Sequence, residues 1–120
     1  MNEKVFIKKW IKAHKYCVIA TCAKGKPWAA TVNYTSDNEM NIYLSTNPMS
    51  LKYKNTLENP VVCLVIDSQN REGTLQIQGI AKSVVGELFK EPNLVVKPEF
   101  LMFKKKDEKT GKLILIQLKN

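Results

Sequence analysis

From Tyr16 onward the chain is written mostly in a period of two, broken by short polar turns, and that alternation limits what it can fold into. "YCVIATCA" (16–23) reads as a strand, "KGKP" (24–27) as a turn and "WAATVNYT" (28–35) as a second strand. "SDNE" (36–39) is a second turn and "MNIYLS" (40–45) a third strand, which predicts a meander of three antiparallel neighbours. "VVCLVID" (61–67) is apolar on both faces, as a central buried strand is. In "TLQIQGIAKSVVGEL" (74–88), Leu75, Ile77, Gly79 and Ala81 alternate with Thr74, Gln76, Gln78 and Lys82, so one face packs and the other meets water or a ligand. "NLVVKPEFLMF" (93–103) and "KLILIQL" (112–118), joined by the polar turn "KKKDEKTG", supply the last strands.

Only two segments break this rhythm. "EKVFIKKWIKAH" (3–14) places Phe6, Ile7, Trp10 and Ile11 at helical spacing with lysines on the other side, the pattern of an amphipathic helix. "MSLKYKNTLEN" (49–59) follows Pro48, can be capped by Ser50, repeats Met49, Tyr53 and Leu57 every four residues, and is stopped by Pro60. A doubly wound sheet needs alternating helices, and those are absent. The expectation is a mainly β protein: a six- to seven-stranded antiparallel barrel with an N-terminal helix and one short helix after the third strand.

At 120 residues the chain is expected to form one domain, 1–120. No apolar run approaches a membrane span and the first residues lack a signal peptide's apolar stretch, so a soluble, cytoplasmic protein is expected. Cys17, Cys22 and Cys63 form no CxxC pair, and with His14 as the single histidine they do not make a zinc set; mostly buried free thiols fit a reducing cytoplasm. The net charge is +8, yet Arg71 is the only arginine. Base readout and bidentate phosphate clamps favour arginine, which argues against nucleic acid as a partner and for small anionic ligands.

Side-chain catalysis has little to work with. A Ser–His or Cys–His dyad must use His14, and most carboxylates fall in predicted turns or element ends. Redox chemistry would then belong to a cofactor. "IYLSTNPMSLKYK" gathers Ser45, Thr46 and Ser50 at a strand-to-helix corner with Lys52 one turn in, and hydroxyls beside a helix start suit a phosphate. Read locally, the same residues are an ordinary N-cap and a solvated lysine; both readings stand at this point.

The ordered set "ATCAKGKPWAATV", "IYLST", "SLKYKNTLENPVVCLVI" and "LQIQGIAKSV" resembles the pyridoxamine 5'-phosphate oxidase-like flavin-binding split barrels over about residues 5–103. The resemblance implies a homodimer of split barrels with FMN between the subunits and a small-molecule redox substrate. It implies Thr46 and Ser50 on the FMN phosphate with Lys52 as counter-charge. Backbone groups near Ala30, Thr31 and Val32 would lie along the ring, and Thr74 or Gln76 would meet the ring or ribityl chain. Asn33, Tyr43 and Ser45 complete the implied cofactor-binding set.

The departures bear on substrate. Relatives that oxidise pyridoxamine phosphate carry arginine and lysine where this chain has Trp28 and Asn33, and an arginine where it has Leu51. The arginine-containing C-terminal motif is missing, and Arg71, the one cation that could replace it, lies outside the family pattern, so that vitamin is not the expected substrate. Two alternatives remain: a split barrel holding a deazaflavin or haem, and a basic nucleic-acid module stacking bases on Trp10, Trp28, Tyr34 and Tyr43.

Overall fold

The computed structural model describes residues 2–68, 70, 72–84 and 93–120. Helix α1 (Glu3–Ala13) is capped by Asn2, whose side chain accepts the Val5 N–H at 2.8 Å. Among the described residues eight strands follow: β1 (Tyr16–Ala23), β2 (Lys26–Asn33), β3 (Thr35–Ser36), β4 (Ile42–Ser45), β5 (Val61–Asp67), β6 (Thr74–Val84), β7 (Asn93–Lys106) and β8 (Leu113–Lys119). Helix α2 (Leu51–Glu58) stands between β4 and β5. The strands form one antiparallel sheet in the order β2-β1-β5-β6-β7-β4-β3, with β8 added to β7. β7 is 14 residues long and shares one edge between two neighbours: Asn93 to Val96 pair with β4, and Phe100 to Lys106 pair with β8.

The mainly β architecture with two helices agrees with expectation, but the strand count and the order of the first strands do not. The β1–β2 turn needs only Lys24 (φ 54) and Gly25 (φ 73), a tight hairpin with both central residues left-handed. β2 therefore starts at Lys26, and Pro27 is tolerated because β2 is an edge strand. The predicted meander fails at Tyr34. Its N–H donates to Lys15 O and its hydroxyl to Ile11 O, so the chain leaves the β2 ladder under the end of α1. After the two-residue β3, β4 pairs with β7 and not with β2. The turn between them is built on Asp37, whose carboxylate accepts from Glu39 N, Asn41 N, Asn41 Nδ2 and Tyr43 OH. Desolvation raises the Asp37 pKa, but these hydrogen bonds together outweigh it and hold the carboxyl below its ordinary value.

The core lies between the inner sheet face and α1. Ile7 and Ile11 are buried, and Phe6 and Trp10 meet Phe103 edge-on at 4.9 and 4.8 Å. Trp10 Nε1 donates to Ile66 O at 3.0 Å, which satisfies the one polar atom that the indole brings inward. At Gly79 the β6–β7 register shifts, and a Cβ there would lie 2.5 Å from Lys97 O, so the position requires glycine.

Two further expectations are corrected. β5 is central, yet Val61 and Cys63 are exposed while Val62, Leu64 and Ile66 are buried: its second apolar face is not covered by the described residues. Of the three thiols only Cys17 is fully buried, Cys22 being partly exposed and Cys63 exposed, because alternation along β1 and β5 turns the latter two outward. Burial pushes the Cys17 thiol up to about 12, so it stays protonated. Alkylation of the native protein at pH 8 is therefore expected to spare Cys17 until denaturant is added. Peptide mass spectrometry checks this, and labelling as fast as in the unfolded chain would contradict it.

Among the described residues no helix is long and apolar enough to cross a membrane, and no group of three or more His, Cys, Asp or Glu side chains could hold a metal ion.

Candidate functional site

β4 ends at Ser45, and the chain enters a tight turn before α2. Asn47 organises the turn: its side chain accepts the Met49 N–H at 2.8 Å, and its carbonyl accepts both Ser50 N (2.9 Å) and Ser50 Oγ (2.7 Å). Ser50 in turn caps the helix, accepting the Tyr53 N–H at 3.4 Å. The Leu51 and Lys52 N–H groups precede the first intrahelical bond, which Lys54 N makes to Ser50 O at 3.2 Å. Lys52, half-buried, stands in this first turn.

Thr46 is different. It is 1% exposed, and among the described residues its Oγ1 is the one buried side-chain polar atom without a hydrogen-bond partner. Such a group normally finds a partner, because leaving it unpaired costs about 1–3 kcal/mol. The corner thus assembles an unpartnered hydroxyl, a half-buried ammonium and fresh helix amides, a donor set suited to a phosphate.

The remaining predicted residues divide between sites. Alternation turns Tyr43 and Ser45 away from the face that buries Ile42 and Leu44, and the Tyr43 hydroxyl donates to Asp37 at 2.8 Å. Ala30 and Val32 are half-buried and pack against the core, whereas Thr31 and Asn33 are exposed on the other face of β2. There the register draws one row across five strands: Thr31 opposite Val18, Val18 opposite Val65, Val65 opposite Gln76, and Gln76 opposite Met102. Thr74 belongs to the same face of β6 as Gln76. A shallow cavity of about 270 Å³ opens on this face, lined by Cys63, Val65, Gln76, Gln78, Phe100 and Met102. Thr46, Ser50 and Lys52 all stand at the corner between β4 and the first turn of α2; Thr31, Asn33, Thr74 and Gln76 share the outer sheet face. Arg71 lies outside the described residues, as do 85–92.

His14 closes α1. Its Nδ1–H donates to Trp10 O at 2.7 Å, and its ring lies 4.5 Å from the indole, so this histidine serves the helix end.

Sequence reasoning missed how α2 is held. The expected apolar stripe is not buried: Met49 is 74% and Leu57 63% exposed, while Asn55 and Thr56 are buried. Asn55 Nδ2 donates to Thr21 Oγ1 (3.0 Å), Asn59 Nδ2 to Cys22 O (2.9 Å), and Tyr53 OH meets Ser83 Oγ (3.1 Å). The available signal was the spacing of Asn55 and Asn59, four apart and hence on one helix face.

A family model described as pyridoxamine 5'-phosphate oxidase matches residues 5–97. The chain belongs to the pyridoxamine 5'-phosphate oxidase family. The match contains α2, the Thr46 corner and the whole of β1 to β6, and leaves out most of β7 and all of β8. The fold agrees with solved structures at low identity. General stress protein 26 from Bacillus anthracis is 15% identical with a TM-score of 0.74, covering 97% of this chain and 100% of its own. A FAD-binding protein from Mesorhizobium loti is 14% identical with a TM-score of 0.71, covering 85% of this chain and 92% of its own. An F420 reductase is 16% identical with a TM-score of 0.67, covering 78% of this chain and 94% of its own. No curated protein sequence matches the chain. This member of the pyridoxamine 5'-phosphate oxidase family has hydroxyls at Thr46 and Ser50 and a lysine at 52, with Leu51 between Ser50 and Lys52 45% exposed.

Proposed function

We propose that the chain is a flavin-binding oxidoreductase that uses FMN, with the cofactor phosphate at the Thr46–Lys52 corner. The observation that carries this reading is the buried Thr46 hydroxyl, which has no hydrogen-bond partner among the described residues. A phosphate oxygen would accept its proton, and Lys52 with the first N–H groups of α2 would offset the charge. Ser50 contributes differently from Thr46: its proton is already given to Asn47 O, so it shapes the turn and caps the helix. Membership of a flavin-binding family and a FAD-binding structural relative support the cofactor class. When bound, the flavin supplies hydride and electron transfer at its ring. Thr31, Asn33, Thr74 and Gln76 would set polarity along the ring, with the β2 backbone near Ala30 and Val32 beside it. The substrate is a small redox partner without a second phosphate, because Trp28 and Asn33 offer no cation. The F420 reductase among the relatives makes a deazaflavin the second reading.

The test is to denature purified protein, identify the released chromophore by mass, and titrate the emptied protein with FMN and with riboflavin by fluorescence. FMN should bind at least tenfold more tightly, as expected for one or two charge-assisted hydrogen bonds. Equal affinities would overturn the phosphate assignment.

The proposal includes a homodimer in a cytoplasmic setting. The outer sheet face exposes Val18, Val61, Cys63 and Leu115, an apolar surface of the kind that marks an interface. A two-fold contact would cover this face on both copies and close the shallow cavity at Gln76 and Phe100. Analytical ultracentrifugation at micromolar concentration is expected to give twice the mass of 13.7 kDa. A monomer that retains flavin would contradict this arrangement.

A further inference from the structure

Helix α2 docks with little apolar help. It buries Asn55 and Thr56, leaves Leu51 and Leu57 at 45% and 63% exposure, and packs only the half-buried Tyr53 against the core. Apolar contact limits how far a helix stands from its sheet but fixes its rotation weakly, whereas hydrogen bonds are directional. Rotation of α2 therefore rests on its side-chain bonds to Thr21, Cys22 O and Ser83. Of these side-chain partners, Asn55 and Thr21 form the pair buried at both ends, 7% and 3% exposed. A bond shielded from water is the one that competes least with solvent.

That rotation matters because the same helix carries the Ser50 cap and Lys52. Turning it by roughly 20° would carry a side-chain tip on its surface by about 2 Å, given a helix some 10–12 Å across. Such a displacement takes a hydrogen bond out of its working range. We propose that Asn55, acting through Thr21, is the positioning residue of the anion corner, setting the rotation of α2 that holds Lys52 and the first helix amides beside Thr46. The proposal deepens the flavin-phosphate reading and rests on it. Asn55 touches no ligand; it acts on the corner through the helix.

The test uses FMN and riboflavin as a matched pair of probes, titrated by fluorescence into wild-type protein and the Thr21→Val, Thr21→Ser and Asn55→Leu variants. Thr21→Val and Asn55→Leu are expected each to cut the FMN-over-riboflavin ratio about tenfold while riboflavin affinity holds, the size of one well-made hydrogen bond to a charged group. Thr21→Ser, which keeps the accepting hydroxyl, should retain the wild-type ratio, and the double variant should lose no more than either single one. A merely structural role would weaken both ligands alike and would not be rescued by serine. If wild-type protein binds the two probes equally, the phosphate reading fails and the positioning role falls with it. If wild-type protein prefers FMN and Thr21→Val keeps that preference undiminished, the corner stands as a phosphate site and the role of Asn55 is overturned. Thr21→Val decides the matter even where Asn55→Leu does not fold, since it exchanges one hydroxyl for a methyl in place.

Discussion

Phe103→Ala is expected to lower the unfolding free energy by about 3–5 kcal/mol, the range for deleting a buried aromatic side chain. Phe103 is 1% exposed and stands where three elements meet. It pairs across strands with Leu75 and Ile116 and takes the edges of Phe6 and Trp10 from α1. Gly73 approaches so closely that a Cβ there would lie 2.6 Å from the ring, so the walls are already drawn in around it. Because Trp10 is also tied to Ile66 O, the helix is not free to sink into the void. A domain of this size has roughly 5–15 kcal/mol in total, so the variant should stand near the edge of unfolding at room temperature. Equilibrium urea denaturation measures this. A loss below 1 kcal/mol would mean that α1 does not depend on the aromatic cluster. Phe103→Leu, which keeps most of the volume, should cost less than half as much.

The second large effect is on ligand binding. Lys52→Ala is expected to weaken FMN binding by about 1.5 kcal/mol, roughly tenfold, and to leave riboflavin binding unchanged. The lower end of the charge-assisted range applies because Lys52 is half-buried and water screens part of its charge. The wild-type preference for FMN should also shrink as salt rises, while the residual preference of the variant, resting on Thr46 and backbone amides, should respond less. Calorimetric titration at two ionic strengths reads both. Loss of riboflavin affinity to the same degree would place Lys52 against some other part of the ligand.

Local alternation made most of the sheet legible. The buried set Leu75, Ile77 and Ala81 on β6 follows from period two alone, as does the outward polar set with Gln76 and Gln78. The pairing of β1 with β2 was legible, but that of β4 was not, because its partner lies about fifty residues further on and nothing within "MNIYLS" names it. The outer face of β5 misled for a different reason. Apolar residues at Val61 and Cys63 signal burial, but a sequence does not say whether the cover comes from the same chain. At the corner, the hydroxyls and the lysine could be read directly, and the cap at Ser50 is where the spacing put it. That Asn55 rather than Leu57 faces the sheet depends on how the helix is rotated, which four-residue spacing leaves open, and that Thr46 has no partner among the described residues is not written in the sequence.

The divided edge of β7 also has a consequence for how the protein is made. β1 and β2 close a hairpin across two residues and can pair as soon as they leave the ribosome. β4 emerges soon afterwards with Ile42 and Leu44 ready for burial, but its long neighbour, β7, has yet to be synthesised. β6 waits for the same strand along its other edge. At the roughly 5–20 residues per second of translation, the nascent chain carries an unpaired apolar strand for several seconds. The interval ends only when Asn93 to Lys106 appear, so closure of the sheet around β4 is a long-range event that must wait for this late strand.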